Sequence, residues 1–457
     1  MGMNNALPKD WVEARLKDIA SKITKGTTPT SIGFDFIKKG IKFIKIENIK
    51  NGEVKVETIK NCISEEAHQK MKRSQLLDGD VLYSIAGTIG RSCLVKNSML
   101  PANTNQALAI IRGTKRILYP KYLLFNLQSQ INRDYLDATS RGGGMNNISL
   151  KDVGDLKIYV APLSEQKRIV SKLDAVLPRV EKLKESLNKT QGLLKQFRKS
   201  VLNAAVTGKL TEGWRERDWD SALLKDHTTK IGSGATPRGG SENYKDTGIP
   251  LIRSLNIHFE GFHEKGLAFI DEMQASKLDN VIVEENDVLL NITGASIGRV
   301  TTAPKNMTGA RVNQHVCIIR PTESLLSKFL TIYLGSSIMQ DFIIKENYGV
   351  TRQALTKSMI ENFQIPLPVL EEQQEIVRRV DALFGLADKL GERLVTINEE
   401  VENLGKSVLT KAFRGELVPN EAELAEKEGR TYETAEELLV RIKAEKKKLE
   451  AKRKKKQ

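Results

Sequence analysis

The sequence predicts an α+β fold: two mixed α/β domains joined by two long antiparallel helices that form a coiled coil, the whole carrying an internal pseudo-two-fold duplication. Three observations predict it. First, Val180, Leu183, Leu187, Thr190, Leu194, Phe197 and Val201 step alternately by three and four, the a/d seam of a helix that packs on another helix. Second, a shift of 207 residues lands on a copy in the same phase, Ala387, Leu390, Leu394, Ile397, Val401, Leu404 and Val408. The natural partner of a helix written twice is its own copy. Third, the repeat reaches far upstream of the helices, so each copy is a folded body plus a helix rather than a short solenoid repeat.

In chain order, Trp11, Leu16, Asp18, Lys22, Ile23, Gly26 and Pro29 return as Trp219, Leu224, Asp226, Lys230, Ile231, Gly234 and Pro237. Asp80-Val81-Leu82 and Gly90-Arg91 return as Asp287-Val288-Leu289 and Gly298-Arg299, and Asn105-Gln106 and Ile110-Ile111-Arg112 as Asn313-Gln314 and Ile318-Ile319-Arg320. Short apolar or alternating runs broken by Gly, Pro, Asn and Asp predict strands at Phe43 to Ile49, Val81 to Ala86 and Ala107 to Arg112. Pro120 to Leu136 reads as one helix with Pro in its first turn. Each body closes on a linker containing Glu165-Gln166 or Glu372-Gln373. A short helix follows to about Leu177 or Phe384, where Pro178 and Gly385 are expected to break it before the long seam begins. The copies then share an ending, Ser200-Val201-Leu202 to Leu210 against Ser407-Val408-Leu409 to Leu417. The expected domains are 1–160, a helical region 161–213, 214–367, a second helical region 368–419, and a charged helical tail 420–457.

The formal charge of +15 and a pI near 9.4 favour a polyanionic partner. Part of that charge is local. From Arg441 to Gln457 ten Lys/Arg stand against two Glu, whereas Asn420 to Val440 carries seven Glu against Lys427 and Arg430. The tail reads as a solvated charge run, with a phosphate-touching tail as the alternative, and Leu438, Ile442 and Leu449 line one face of its last helix. Cys62, Cys93 and Cys317 have no metal or CxxC spacing, which suits buried free thiols in a reducing cytoplasm. No apolar run is long enough to span a membrane and the first residues lack a signal-peptide pattern. A soluble cytoplasmic protein is expected.

Catalytic signatures are missing: no phosphate-loop lysine motif, no GxSxG elbow, no HExxH. Gly232 to Pro237 is a turn rather than a nucleotide cradle, and His258 and His263 lack further ligands at metal spacing. The polar groups suit DNA better. Arg91 and Arg299 follow glycine-rich turns from which a guanidinium can reach guanine, and Asn105, Gln106, Asn313 and Gln314 offer amides that match adenine. The loop carrying Arg141, Asn146 and Asn147 is answered by one carrying Thr351 and Arg352; residues that differ between the copies suit the reading of different bases. Lys25, Thr27 and Thr28 complete the candidate DNA contacts of the first copy, and Ser233, Thr236, Arg238 and Arg253 those of the second.

From Trp11 to Pro419 the sequence resembles the specificity (S) subunit of type I restriction-modification enzymes. The resemblance rests on two bodies, each entered through a Trp…Leu…Asp…Gly…Thr-Pro pattern. Each is left through a linker, Pro162-Leu163-Ser164-Glu165-Gln166 or Pro368-Val369-Leu370-Glu371-Glu372-Gln373, into a repeated helix. It implies two target-recognition domains that each read half of an asymmetric bipartite double-stranded DNA site. It also implies helices that pair as spacer and docking surface, two methyltransferase subunits and ATP-driven restriction subunits as partners, and no cofactor and no catalysis in the chain itself. A helix from Val180 to Ala205 spans about 38 Å, close to the roughly 34–36 Å of one DNA turn. Two other classes stay open: a single-chain DNA modifier or nuclease with diverged motifs, and a coiled-coil organiser bearing protein- or carbohydrate-binding domains.

Overall fold

The computed structural model describes residues 7–50, 52–113, 118–140, 147–214, 218–237, 239–346 and 354–454. The chain divides into two compact units, residues 1–186 with 397–457, and residues 187–396.

In the first unit a four-stranded antiparallel sheet has the order Lys22–Lys25, Leu108–Arg112, Val81–Ser84, Ser92–Leu94. Its central strands alternate between two cores, because successive strand side chains point to opposite faces. Val81, Tyr83, Ala109 and Ile111 join the core on one face, while Leu82, Leu108 and Ile110 join the core on the other. A second sheet, Cys62–Ile63, Ile41–Ile44, Ala102–Thr104, packs alongside, its last pair parallel. The body is closed by its own ends. Val12–Arg15 pairs antiparallel with Lys157–Val160, the strand that leads into the long helix.

The second unit repeats this topology. Its four-stranded sheet is Thr228–Ser233, Val316–Pro321, Val288–Asn291, Val300–Thr302, and its three-stranded sheet Ala268–Ile270, Ile249–Ile252, Arg311–Val312. Asp220–Leu223 pairs with Gln364–Leu367 to close it. An ion pair also recurs. Buried Asp80 receives Arg112 at 2.7 Å and buried Asp287 receives Arg320 at 2.7 Å, so these repeated charges brace the sheet.

Two predicted elements are shorter than expected. The strand begun at Ile41 stops at Ile44, because Asn48 Oδ1 accepts the Lys45 N–H at 2.8 Å and draws the chain into a single 3-10 turn. The predicted helix Pro120 to Leu136 is two helices, Pro120–Leu127 and Gln130–Ser140. Asn132 Nδ2 takes the Asn126 carbonyl at 3.0 Å across the break.

The long helices are longer than expected. Leu163–Val206 and Leu370–Ala412 are each continuous, and neither Pro178 nor Gly385 breaks its helix. Proline removes one backbone donor at a cost of about 3 kcal/mol. Buried Leu173 and Val180, on the turns either side of Pro178, hold the helix through that loss.

In each unit one helix segment runs antiparallel to the other. Val180 lies against Gly405 in the first unit, and Leu194 against Gly391 in the second. The seam keeps every second expected position and moves the positions between them by one residue. The buried or half-buried positions that recur at heptad spacing are 180, 184, 187, 191, 194, 198 and 201, with 387, 391, 394, 398, 401, 405 and 408. Thr190 is exposed, and Leu183, Phe197, Leu390, Ile397 and Leu404 lie on the flank, between 40% and 54% exposed.

The tail is docked rather than solvated along much of its length. It forms helices Glu421–Glu428 and Ala435–Lys454, and Ala435, Leu438 and Ile442 are fully buried in the first unit's core. Fully buried Glu421 pairs with Arg168 at 2.5 Å and Arg430 at 2.6 Å. The side chain of Leu449 lies outside the described residues.

Candidate nucleic-acid interface

The Gly-x-Thr-Pro turn of each copy is pressed against the loop that leads into the second sheet strand. A Cβ on Gly26 would stand 2.1 Å from the Thr104 carbonyl oxygen, and one on Gly234 only 1.8 Å from that of Val312. Only glycine permits this approach. The Thr27 N–H donates to Thr104 O at 3.0 Å, and the Gly234 N–H to Asn313 O at 3.2 Å. The approach brings a threonine onto a glutamine in both copies. Thr28 Oγ1 donates to Gln106 Oε1, and Thr236 Oγ1 to Gln314 Oε1. Both glutamines are exposed.

Around the first copy's edge, Arg73 Nη2 donates to Thr27 Oγ1 at 3.2 Å, and Lys25 is exposed at the end of its strand. Asn105 Oδ1 is buried without a hydrogen-bond partner. Asn147 is exposed and its backbone bridges to Ala86. Around the second copy's edge Ser233 ends its strand half-buried, while Asn313 Oδ1 accepts the His315 N–H at 3.0 Å. Asn313 is therefore buried and spent on its own turn. Arg299 is half-buried in its turn. Arg253 is engaged locally: its guanidinium lies 5.1 Å from the centre of the Tyr244 ring and donates to Gly266 O. The candidates Arg141, Asn146, Arg238, Thr351 and Arg352 lie outside the described residues.

Arg91 is exposed. It lines a cleft of about 840 Å³ within the first unit, together with Arg133, Lys55, Lys96, Lys182 and Lys406. Some of the cleft's cations are already paired, Lys96 with Glu53 at 2.9 Å and Lys121 with Asp174 at 2.6 Å. The cleft and His315 escape a reading of the sequence. The first is assembled from distant segments, and the second is a residue that the repeat does not repeat.

No metal or nucleophile chemistry stands out among the described residues. Among the described residues no three His, Cys, Asp or Glu gather as metal ligands, and His258 and His263 stack on each other at 4.0 Å. Burial pushes the Cys93 and Cys317 thiols up to about 12, which leaves them protonated and inert. No helix among the described residues is long and apolar enough to cross a membrane.

Comparison with known proteins gives a consistent result. The model of the type I restriction modification DNA specificity domain matches twice, over residues 8–190 and 216–402. The chain is 29% identical over 435 residues to the type I restriction enzyme EcoBI specificity subunit of Escherichia coli, covering 89% of this chain and 86% of that one. It is 26% identical to the EcoKI specificity subunit of Escherichia coli strain K12, covering 90% of each. Among solved structures, a chain from work on complex assembly and conformational transition of the type I R-M system aligns with a TM-score of 0.72 at 22% identity. That alignment covers 90% of this chain and 100% of the other. The HsdS subunit of Thermoanaerobacter tengcongensis aligns with a TM-score of 0.56 at 21% identity, covering 90% and 98%.

Proposed function

The chain belongs to the type I restriction modification DNA specificity family, and on that premise we propose that it is the DNA sequence-recognition subunit of a type I restriction-modification complex. Each body reads one half of an asymmetric, bipartite double-stranded site. The chain itself performs no chemistry; adenine methylation and ATP-driven cleavage belong to two methyltransferase subunits and to restriction subunits that assemble on it in the cytoplasm. The exchangeable modules run from residue 1 to 160 and from 214 to 367, with 161–213 and 368–419 as the helical scaffold.

One observation carries this reading. Two diverged bodies present the same exposed group at the same edge, a glutamine amide held by a threonine hydroxyl, as Thr28–Gln106 and Thr236–Gln314. An amide has one donor and one acceptor side, which is what a base edge in the major groove requires. The basic balance of the chain supplies the attraction to phosphate on which register depends.

The flanks of the long helices support the docking role. Leu183 and Leu404 in the first unit, and Leu193, Leu386, Leu390 and Val395 in the second, are large apolar side chains left about half exposed. Apolar side chains at helical spacing on an open helix face suit helices of partner subunits.

The test is selection from a random duplex library by this chain assembled with its methyltransferase subunits. The expected product is two unlike half-sites at a fixed gap, with no methylation by this chain alone. A library that returns no consensus, or methyl transfer by the isolated chain, contradicts the proposal.

A further inference from the structure

We propose that His315 is a positioning residue for base reading by the second body, fixing, with Thr236 and Thr293, the amide of Gln314 in a single orientation. The inference rests on the DNA-recognition reading above and names the side chains that give it selectivity at one half-site. Gln314 Oε1 accepts from Thr236 Oγ1, and Gln314 Nε2 stands 3.1 Å from His315 Nε2. On the far side of the ring, His315 Nδ1 stands 2.5 Å from Thr293 Oγ1. An amide nitrogen can only donate. His315 Nε2 therefore accepts, its ring proton sits on Nδ1, and that proton is donated to Thr293.

Every link in this chain points the same way, and what it leaves over is directional. One N–H and one oxygen lone pair of exposed Gln314 remain for a ligand, in a fixed left-to-right order. A glutamine free to flip offers donor and acceptor in either order. A glutamine held at both ends offers one, and a base edge that needs the reverse order loses both bonds. The anchors are well founded. Thr236 follows the strand Thr228–Ser233, Thr293 follows Val288–Asn291, and His315 is itself held by its N–H to Asn313 Oδ1 at 3.0 Å.

The first body provides an internal control. Thr28 holds Gln106 Oε1 as Thr236 holds Gln314 Oε1, but Ala107 stands where the second body has His315 and Ala86 where it has Thr293. No imidazole is there to fix the amide nitrogen of Gln106. The two half-sites should therefore be read with unequal stringency at the position facing the glutamine.

The experiment uses the full chain assembled with its methyltransferase subunits. Affinity is measured for the selected site and for sites in which each base pair of either half is replaced in turn. His315→Ala should lower discrimination about tenfold at one or two positions of the second half-site only. Discrimination across the first half-site and affinity for non-specific duplex should stay unchanged. Thr293→Val keeps both the ring and the glutamine, should give the same pattern, and guards against failure of the first variant to fold. Wild-type discrimination at every position in both variants overturns the inference while leaving DNA recognition intact, and so does a uniform loss across both half-sites. A wild-type assembly with no base preference overturns both.

Discussion

The indole Nε1 of Trp11 donates to Glu165 Oε1 at 2.9 Å across 154 residues of sequence, and Trp219 Nε1 repeats the bond to Glu372 Oε2 at 2.8 Å. Each bond ties the entrance of a body to the first turn of the long helix that leaves it. The neighbouring glutamines complete the joint. Gln166 accepts the Tyr119 N–H at 2.9 Å and donates to Ala161 O at 2.8 Å, while Gln373 accepts the Leu326 N–H at 2.8 Å and donates to Pro368 O at 2.9 Å. The Glu-Gln pair of the linker is therefore a structural latch.

Trp11→Phe and Trp219→Phe each remove one donor from a buried carboxylate. The expected cost is about 1–3 kcal/mol per latch, because a buried acceptor loses its partner. Urea unfolding followed by circular dichroism measures it. Midpoints equal to wild type would mean that the latch contributes nothing.

Glu165 also makes stability depend on pH. Burial holds its carboxyl above the usual carboxylate range, against the opposing pull of the Glu421 N–H and the Trp11 indole. The folded state then binds the proton more tightly than the unfolded chain does. Its contribution is greatest at acid pH and is lost as pH rises from the ordinary carboxylate value of about 4.3 through the raised one. Relative to Glu165→Gln, wild type should lose stability across that interval. A difference between the two that stays constant with pH contradicts this account.

The observed seam separates two kinds of leucine on the helices of the second unit. Leu194 lies against Gly391, whereas Leu390 is 54% exposed. Leu194→Asp should cost at least about 2 kcal/mol, since it places a charge in an apolar contact, while Leu390→Asp should change stability by less than about 0.5 kcal/mol. Leu390→Asp should instead weaken assembly with methyltransferase subunits, read by size-exclusion chromatography. Equal destabilisation by the two variants would return Leu390 to the buried seam that periodicity alone predicts.

How far the sequence reaches is clearest in these helices. Their existence, pairing and symmetry are legible because an apolar stripe repeated at constant phase marks a helix and its copy. The inner face is legible only in part. Val180, Leu187, Leu194, Val201, Ala387, Leu394, Val401 and Val408 lie where the period puts them, whereas Leu183, Leu390, Ile397 and Leu404 give way to neighbours that include the small Gly391 and Gly405. Periodicity finds an apolar stripe. It does not tell which edge of a broad stripe meets the partner, and here the small residues do, since they admit a close approach. At the candidate site the repeated Gly26 and Gly234 mark the turns that press on a neighbouring loop, because a forced backbone approach requires glycine in both copies. His315 leaves no such mark, since its meaning depends on Thr293, which is brought to it only by strand pairing. The docked tail is hidden for a similar reason: Leu438 and Ile442 are two apolar residues among many charges, and core partners such as Leu16 and Ile19 lie near the other end of the chain.

The most direct test of modular reading is an exchange of bodies, with residues 11–160 and 219–367 swapped on an unchanged pair of long helices. The assembled complex should select the same two half-sites in inverted order. A folded, assembled swap that keeps the original order would show that the bodies do not carry the code and would contradict the account.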